Sequence, residues 1–148
     1  MAKKPTYKVA GLTMYPFPDF VLCITGDWKA ALKSIDRLVE IKPGGASTVK
    51  LSDAVKQVMQ ETEAERSNDA GAMLANPGVL DNVIIVWTRD VRPAPAILAH
   101  ECLHAVLHIT DARGVDDKNH ETEAYMFDRL FDHLFDVCTT KRQQWKSK

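Results

Sequence analysis

The chain has 148 residues, of which 45% are hydrophobic and 26% charged, and its formal net charge is −1. That length suits one domain that buries its own core, so residues 1–148 are read as a single domain. A balance so close to neutral offers no basic field, which argues against nucleic acid and a membrane surface as partners.

In chain order, "FVLCIT" (20–25) is a short apolar, partly β-branched run closed by Gly26, the pattern of a buried strand. Asp27 then stands as an N-cap before "WKAALKSIDRLVEI", where Leu32, Ile35, Leu38 and Val39 recur at helical spacing. "KPGG" ends that helix, and Ser52 is expected to start a second, with Ala54, Val55, Val58 and Met59 on one side. In "AGAMLANPGVLDNVIIVWTRD", the turn signal "NPG" separates two apolar runs, which predicts a hairpin or a loose strand pair. "RPAPA" opens the next helix near Pro93 to Pro95, which runs to about Thr110 with Gly114 as its stop. A polar loop leads to a last helix, "HETEAYMFDRLFDHLFDVC", and the terminal "KRQQWKSK" is read as a solvated tail. Strands and helices without regular βαβ alternation give an α+β class.

Cys23, Cys102 and Cys138 are widely spaced and form no CxxC pair, which fits a reducing compartment. "MAKKPTYKVAG" lacks the apolar core of a secretory signal, and no apolar run reaches bilayer length. A cytoplasmic protein is expected; its oligomeric state is left open.

The chemistry is concentrated in "HECLH", residues 100–104. Side chains four apart on a helix share a face, so His100 and His104 can aim two imidazoles at one point. Two imidazoles so placed supply half of a tetrahedral zinc shell. Glu101 lies about 100° round the helix from His100. It borders the ligand face and is placed to take a proton from a water that zinc activates. Ala99, Cys102, Leu103, Val106 and Leu107 are read as the apolar arc of this helix, with His100, Glu101, His104 and His108 opposite. A solvated face usually carries Lys, Asp or Arg, not three histidines.

A catalytic zinc also needs a third protein ligand. The metzincin continuation requires a glycine at position 107 and a histidine at position 110, where this chain has Leu107 and Thr110. "HECLHAVLH" followed by "ETEAY" resembles instead the gluzincin branch of zincin metallopeptidases. The likeness is to small cytoplasmic proteins of the ImmA/IrrE type and to HExxH proteins encoded by bacteriophages, and it covers roughly residues 80–136. It implies a minimal zincin-like domain: a small twisted sheet, an active-site helix behind it, and a C-terminal helix carrying the third ligand. The metal-site half would be residues 80–138, with residues 1–80 completing the same domain. The resemblance maps the third zinc ligand onto Glu121 and a small residue facing the motif helix onto Ala124. Tyr125 stands where that group has Asp or Asn. The helical wheel names a rival ligand, because Glu123 points near the centre of an arc formed by Ala124, Phe127, Leu130, Phe131, Leu134 and Cys138.

Tyr125, one turn after Glu121, is a candidate donor to a developing oxyanion. His108 is read as a structural or ligand-orienting histidine and His133 as a surface one. "NVIIVW" occupies the position of the zincin edge strand along which a peptide lies extended. The expected function is zinc-dependent hydrolysis of peptide bonds in a peptide or protein substrate, with Zn2+ as the cofactor. The alternative is a catalytically silent zinc-binding regulatory or interaction protein.

Overall fold

A computed structural model describes residues 6–38, 50–116, 120–139 and 145–147. Strand β1 (Tyr7–Thr13) turns back into β2 (Phe20–Gly26), which leads to helix α1 (Trp28–Ile35) and a single 3-10 turn, Asp36–Leu38. Helix α2 (Leu51–Glu61), strands β3 (Gly71–Ala75) and β4 (Val83–Thr88), helices α3 (Pro95–Ala112) and α4 (Glu121–Thr139), and strand β5 (Trp145–Ser147) follow. The sheet order is β3-β4-β2-β1-β5. The β1–β2 and β3–β4 pairs are antiparallel, whereas β2–β4 and β1–β5 are parallel. This is a small mixed α+β fold.

Helices cover both faces of the sheet, which explains why the strands read as almost continuous apolar runs. Phe20, Leu22 and Ile24 of β2, with Val83, Ile85 and Trp87 of β4, pack against Trp28, Ala31 and Ile35 of α1 and Val55, Val58 and Met59 of α2. The alternate residues, Val21, Cys23, Ile84 and Val86, pack on the other side against Leu98, Cys102, Val106 and Ile109 of α3 and Met126, Leu130 and Leu134 of α4.

The expected strands at 20–25 and 82–87 are present, and so is the loose strand pair around "NPG". Asp27 caps α1 as expected, its Oδ1 accepting from the backbone N–H groups of Lys29 and Ala30. The α-helix ends at Ile35, before Leu38, and Val39 lies outside the described residues. Helix α2 starts one residue before Ser52, and its flanking residue Lys50 gives no side-chain cap. The 3-10 turn supplies one instead: Asp36 accepts from Ser52 N at 3.2 Å and from Ser52 Oγ at 2.8 Å. The solvated-tail reading of the C-terminus fails at residues 145–147, whose backbone pairs with Val9–Gly11 as β5. The rest of that tail lies outside the described residues. Among the described residues, no helix is long and apolar enough to cross a membrane.

All three cysteines are buried on the α3–α4 side of the sheet. Burial holds the Cys102 thiol far above its usual range, and a hydrogen bond with Cys138, then burial, does the same for Cys23. Thiolate is the nucleophile. Cys23 and Cys102 of the native protein should therefore resist iodoacetamide at neutral pH. The hydrogen bond with Cys23 lowers the Cys138 thiol, whose protection rests on its burial alone. Denatured protein should take up three adducts, matching its three cysteines. Fast native labelling of Cys102, read by mass spectrometry, would contradict the packing of α3 on the sheet.

Candidate metal site on helix α3

Helix α3 begins with Pro95 in its first turn, where a missing N–H costs nothing. It ends at Ala112, with Gly114 at φ 64° just beyond. Its buried residues are Leu98, Glu101, Cys102, Ala105, Val106, Ile109 and Thr110. The apolar arc expected from the wheel is therefore rotated. Leu103 and Leu107 are 43% and 41% exposed, whereas Glu101 is only 6% exposed. The physical reason is that apolar residues occur all round this helix. Contact with β3, β4 and α4 selects the Leu98–Cys102–Ala105–Ile109 stripe over the equally apolar stripe through Leu103 and Leu107.

His100 and His104 stand on the outer side, with side chains 64% and 48% exposed and ring centroids 4.3 Å apart. The Glu101 carboxylate is tucked between their bases and the sheet edge. Its Oε1 is 3.8 Å from His100 Nε2, and its Oε2 is 3.8 Å from His104 Nδ1. Both separations are too long for hydrogen bonds. Oε2 is buried without a hydrogen-bond partner. Burial raises the Glu101 carboxyl above its ordinary range, against the pull of His104 and then His100. A buried, unsatisfied carboxylate is costly unless something completes it. A desolvated acid beside two imidazoles in a cleft is also a physical marker of a functional site.

One donor atom from each of His100, Glu101 and His104 lies within 4.8 Å of the others. Tetrahedral ligands at about 2.0–2.1 Å from zinc stand roughly 3.3 Å apart, a separation that two imidazoles with ring centroids 4.3 Å apart can meet, with the Glu101 carboxylate beside the ion. Two imidazole nitrogens and a carboxylate form a borderline-to-hard donor set that suits zinc. The residues present fit the metal.

Two open hollows flank the group. The first is lined by Asp69, Ala70, Gly71, Ala96, Ile97, His100 and Glu101, and the second is shared by His104, His108, Thr110, Asp111, Met73 and Glu123. Glu123 therefore enters the same hollow as His104 from α4, with its side chain 19% exposed. Glu121, on the first turn of α4, is exposed, and it lines neither hollow. Ala124 is also exposed and does not face α3. The buried side of α4 is Met126, Leu130, Leu134, Val137 and Cys138, so Leu130, Leu134 and Cys138 of the predicted arc are buried, Phe127 and Phe131 pack partly buried against the same core, and Ala124 alone falls outside it. Tyr125 is 67% exposed and borders neither hollow. His108 is half-buried at the second hollow. His133 is not a free surface residue, because its Nε2 is bonded to the Gly11 carbonyl at 3.0 Å.

The edge strand also needs correcting. β4 is paired on both sides, and among the described residues the edge strand beside the motif is β3. A Cβ on Gly71 would meet Glu101 Cγ at 3.1 Å, so the glycine lets this strand lie close against the glutamate. Arg89 N donates to Ala70 O at 2.9 Å, which fixes the phase of the β3–β4 ladder. Bonded and non-bonded pairs alternate, so Gly71, Met73 and Ala75 direct their backbone N–H and C=O groups outward from the sheet. Sequence reasoning missed this strand's role. The available signal was the small residue Gly71 ahead of an apolar run, since a side chain at that point would press on Glu101 Cγ at 3.1 Å.

Comparison of the chain with family models, with curated proteins and with solved structures returned no match.

Proposed function

We propose that the protein is a zinc-dependent peptidase of minimal zincin-like design, built on His100, Glu101 and His104. The observation that carries the reading is the buried Glu101 carboxylate, one oxygen of which has no hydrogen-bond partner, held beside two exposed imidazoles next to the edge strand of the described sheet. His100 and His104 would hold the metal, with a carboxylate from α4 as third ligand. Glu123 is favoured over Glu121 because it lines the hollow that His104 lines. Zinc bound there would supply a Lewis acid that polarises a peptide carbonyl and activates water.

An extended substrate would pair with the outward N–H and C=O groups of β3, as peptides add to open sheet edges. That register brings its backbone past Gly71, beside Glu101. Glu101 would take the proton of the attacking water and pass it to the leaving amine. Tyr125 has no part in this reading. A silent zinc-binding protein would keep the same ligands, so only turnover separates the two.

The expected result is about one zinc per chain after gentle purification, measured by elemental analysis. His104→Ala should lose it. A wild-type protein that stays far below stoichiometric zinc after metal is added and the excess removed would sink the reading.

A further inference from the structure

The two hollows beside the site carry acid without base. Asp69 and Glu101 line the first, Asp111 and Glu123 line the second, and no lysine or arginine lines either. The chain as a whole is almost neutral, at −1. The arginines closest to the first hollow are engaged elsewhere: Arg66 is buried against the Trp87 ring, and Arg89 donates to the carbonyls of Arg66 and Ser67. Glu123 is bonded to His120 at 2.8 Å. Asp69 and Asp111 are exposed, and among the described residues their carboxylates have no hydrogen bond or ion pair. Exposed acids alone need only water. What points to a ligand is Glu101, which is 6% exposed and whose Oε2 has no hydrogen-bond partner, at the wall of the first hollow. A desolvated carboxylate beside a further acid focuses negative potential there and favours a positive group.

The register of β3 says how two such groups would arrive together. The first hollow lies at Gly71 and the second at Met73, two positions further along the strand. Both positions face α3: a Cβ on Gly71 would meet Glu101 and Ile97, and Met73 packs with the α3–α4 core, whereas Ala72 and Leu74 pack on the opposite side of the sheet. A strand paired to β3 would present every second side chain to that same face, about 6.6 Å apart. Two alternate residues of one extended segment therefore enter the two hollows, and the residue between them points away. The walls suit a long basic side chain. Ala70, Ala96 and Ile97 in the first hollow, and Met73, Leu107 and Val115 in the second, offer apolar surface to a methylene stem, with a carboxylate at hand for its charged end.

We propose that the groove between β3 and α3 takes a basic segment of the substrate, with lysine or arginine side chains at alternate positions entering the two hollows, and that Asp69 and Asp111 select them. The inference rests on the peptidase reading above and names the substrate class of that same site. The two aspartates are specificity residues: they meet the substrate's side chains on either side of the motif and take no part in moving protons.

The test uses the zinc-loaded full chain and three peptides on one scaffold, carrying Lys-x-Lys, Glu-x-Glu or the equally charged Lys-Lys-x. At low salt, kcat/KM for Lys-x-Lys should exceed that for Glu-x-Glu by roughly tenfold or more, and the ratio should shrink as salt screens the charges. Lys-Lys-x should be cut more slowly than Lys-x-Lys, because adjacent side chains face opposite ways. Asp69→Asn and Asp111→Asn, both at exposed positions where packing is not disturbed, should each lower the ratio several-fold, through KM more than kcat. A wild-type ratio near one, or one that neither variant lowers, overturns the inference and leaves the peptidase reading standing. Equal rates for the two lysine peptides overturn it too, since they remove the paired hollows. If no peptide is cut at full zinc occupancy, the peptidase reading falls, and binding of labelled peptides to Glu101→Gln, measured by fluorescence anisotropy, decides the inference. Tighter binding of Lys-x-Lys supports it, and equal binding of all three overturns it.

Discussion

Replacing Glu101 with glutamine is expected to lower peptide hydrolysis by roughly a hundredfold or more, the usual scale for loss of a general base. Glutamine keeps the size of the side chain and fits the same buried slot against Gly71. It carries no charge, so the desolvation that raises the carboxyl's pKa no longer applies. Zinc content should therefore stay at the wild-type level, and thermal stability should hold or rise. Incubating both proteins with an unbiased peptide mixture and reading new termini by mass spectrometry checks the rate and reveals the substrate class together. Equal cleavage in the two samples would identify a contaminating protease. No cleavage in either, at full zinc occupancy, would favour the silent zinc-binding protein.

The second large effect is on stability. Leu130 is fully buried in the cluster that joins α4, α3 and the sheet. Leu130→Ala removes its methyl groups from a close-packed site and leaves a cavity, at a cost of roughly 2–5 kcal/mol. For a domain of this size, each kcal/mol moves the melting temperature by about 2–4 °C, so a fall of roughly 5–20 °C is expected. Phe135→Ala is the control on the same helix. Phe135 is 36% exposed, and its ring stacks on Phe131, with centroids 5.5 Å apart. That substitution should cost far less. Equal losses from the two variants, measured by thermal unfolding, would contradict the orientation of α4.

Much of the fold was legible because its signals are local. Asp27 before an apolar helix, Pro95 in a first turn and Gly114 past a last turn each mark a boundary by their own backbone chemistry. "VIIVW" reads as a strand wherever it lies. What could not be read depended on partners distant in sequence. Strand β1, with its mixed "YKVAGLT", has a weak pattern of its own and is fixed by pairing with β2. The cap on α2 comes from Asp36. Lys8 lies almost fully buried in β1, donating to the carbonyls of Val137 and Cys138, a role no local pattern foretells. At the site, the four-residue spacing of His100 and His104 was enough to predict a shared face. The burial of Glu101 was not foreseen, because it follows from β3 crossing next to α3. The choice between Glu121 and Glu123 turns on the rotation of α4, and Met126 and Val137 join Leu130 and Leu134 on its buried side while Ala124 is exposed.

The parallel pairing of β2 with β4 bears on when the site comes into being. β1 and β2 are neighbours in sequence and can meet early through a short connection. β4 must return to β2 only after α1, α2 and β3 have been made, because Val83 pairs with Phe20. Contacts of such long sequence separation form slowly, since the chain entropy of closing the loop is spent before the contact rewards it. α3 rests on β3 and β4, and α4 rests on α3, so the surroundings of His100, Glu101 and His104 are complete only at the end of this sequence of events. A nascent chain that has emerged only as far as α3 already carries both histidines and Glu101, but lacks Glu123 and the Met126–Leu130 face that packs beside Cys102. A partly made chain thus carries these three side chains before the last helix has given α3 its second packing partner.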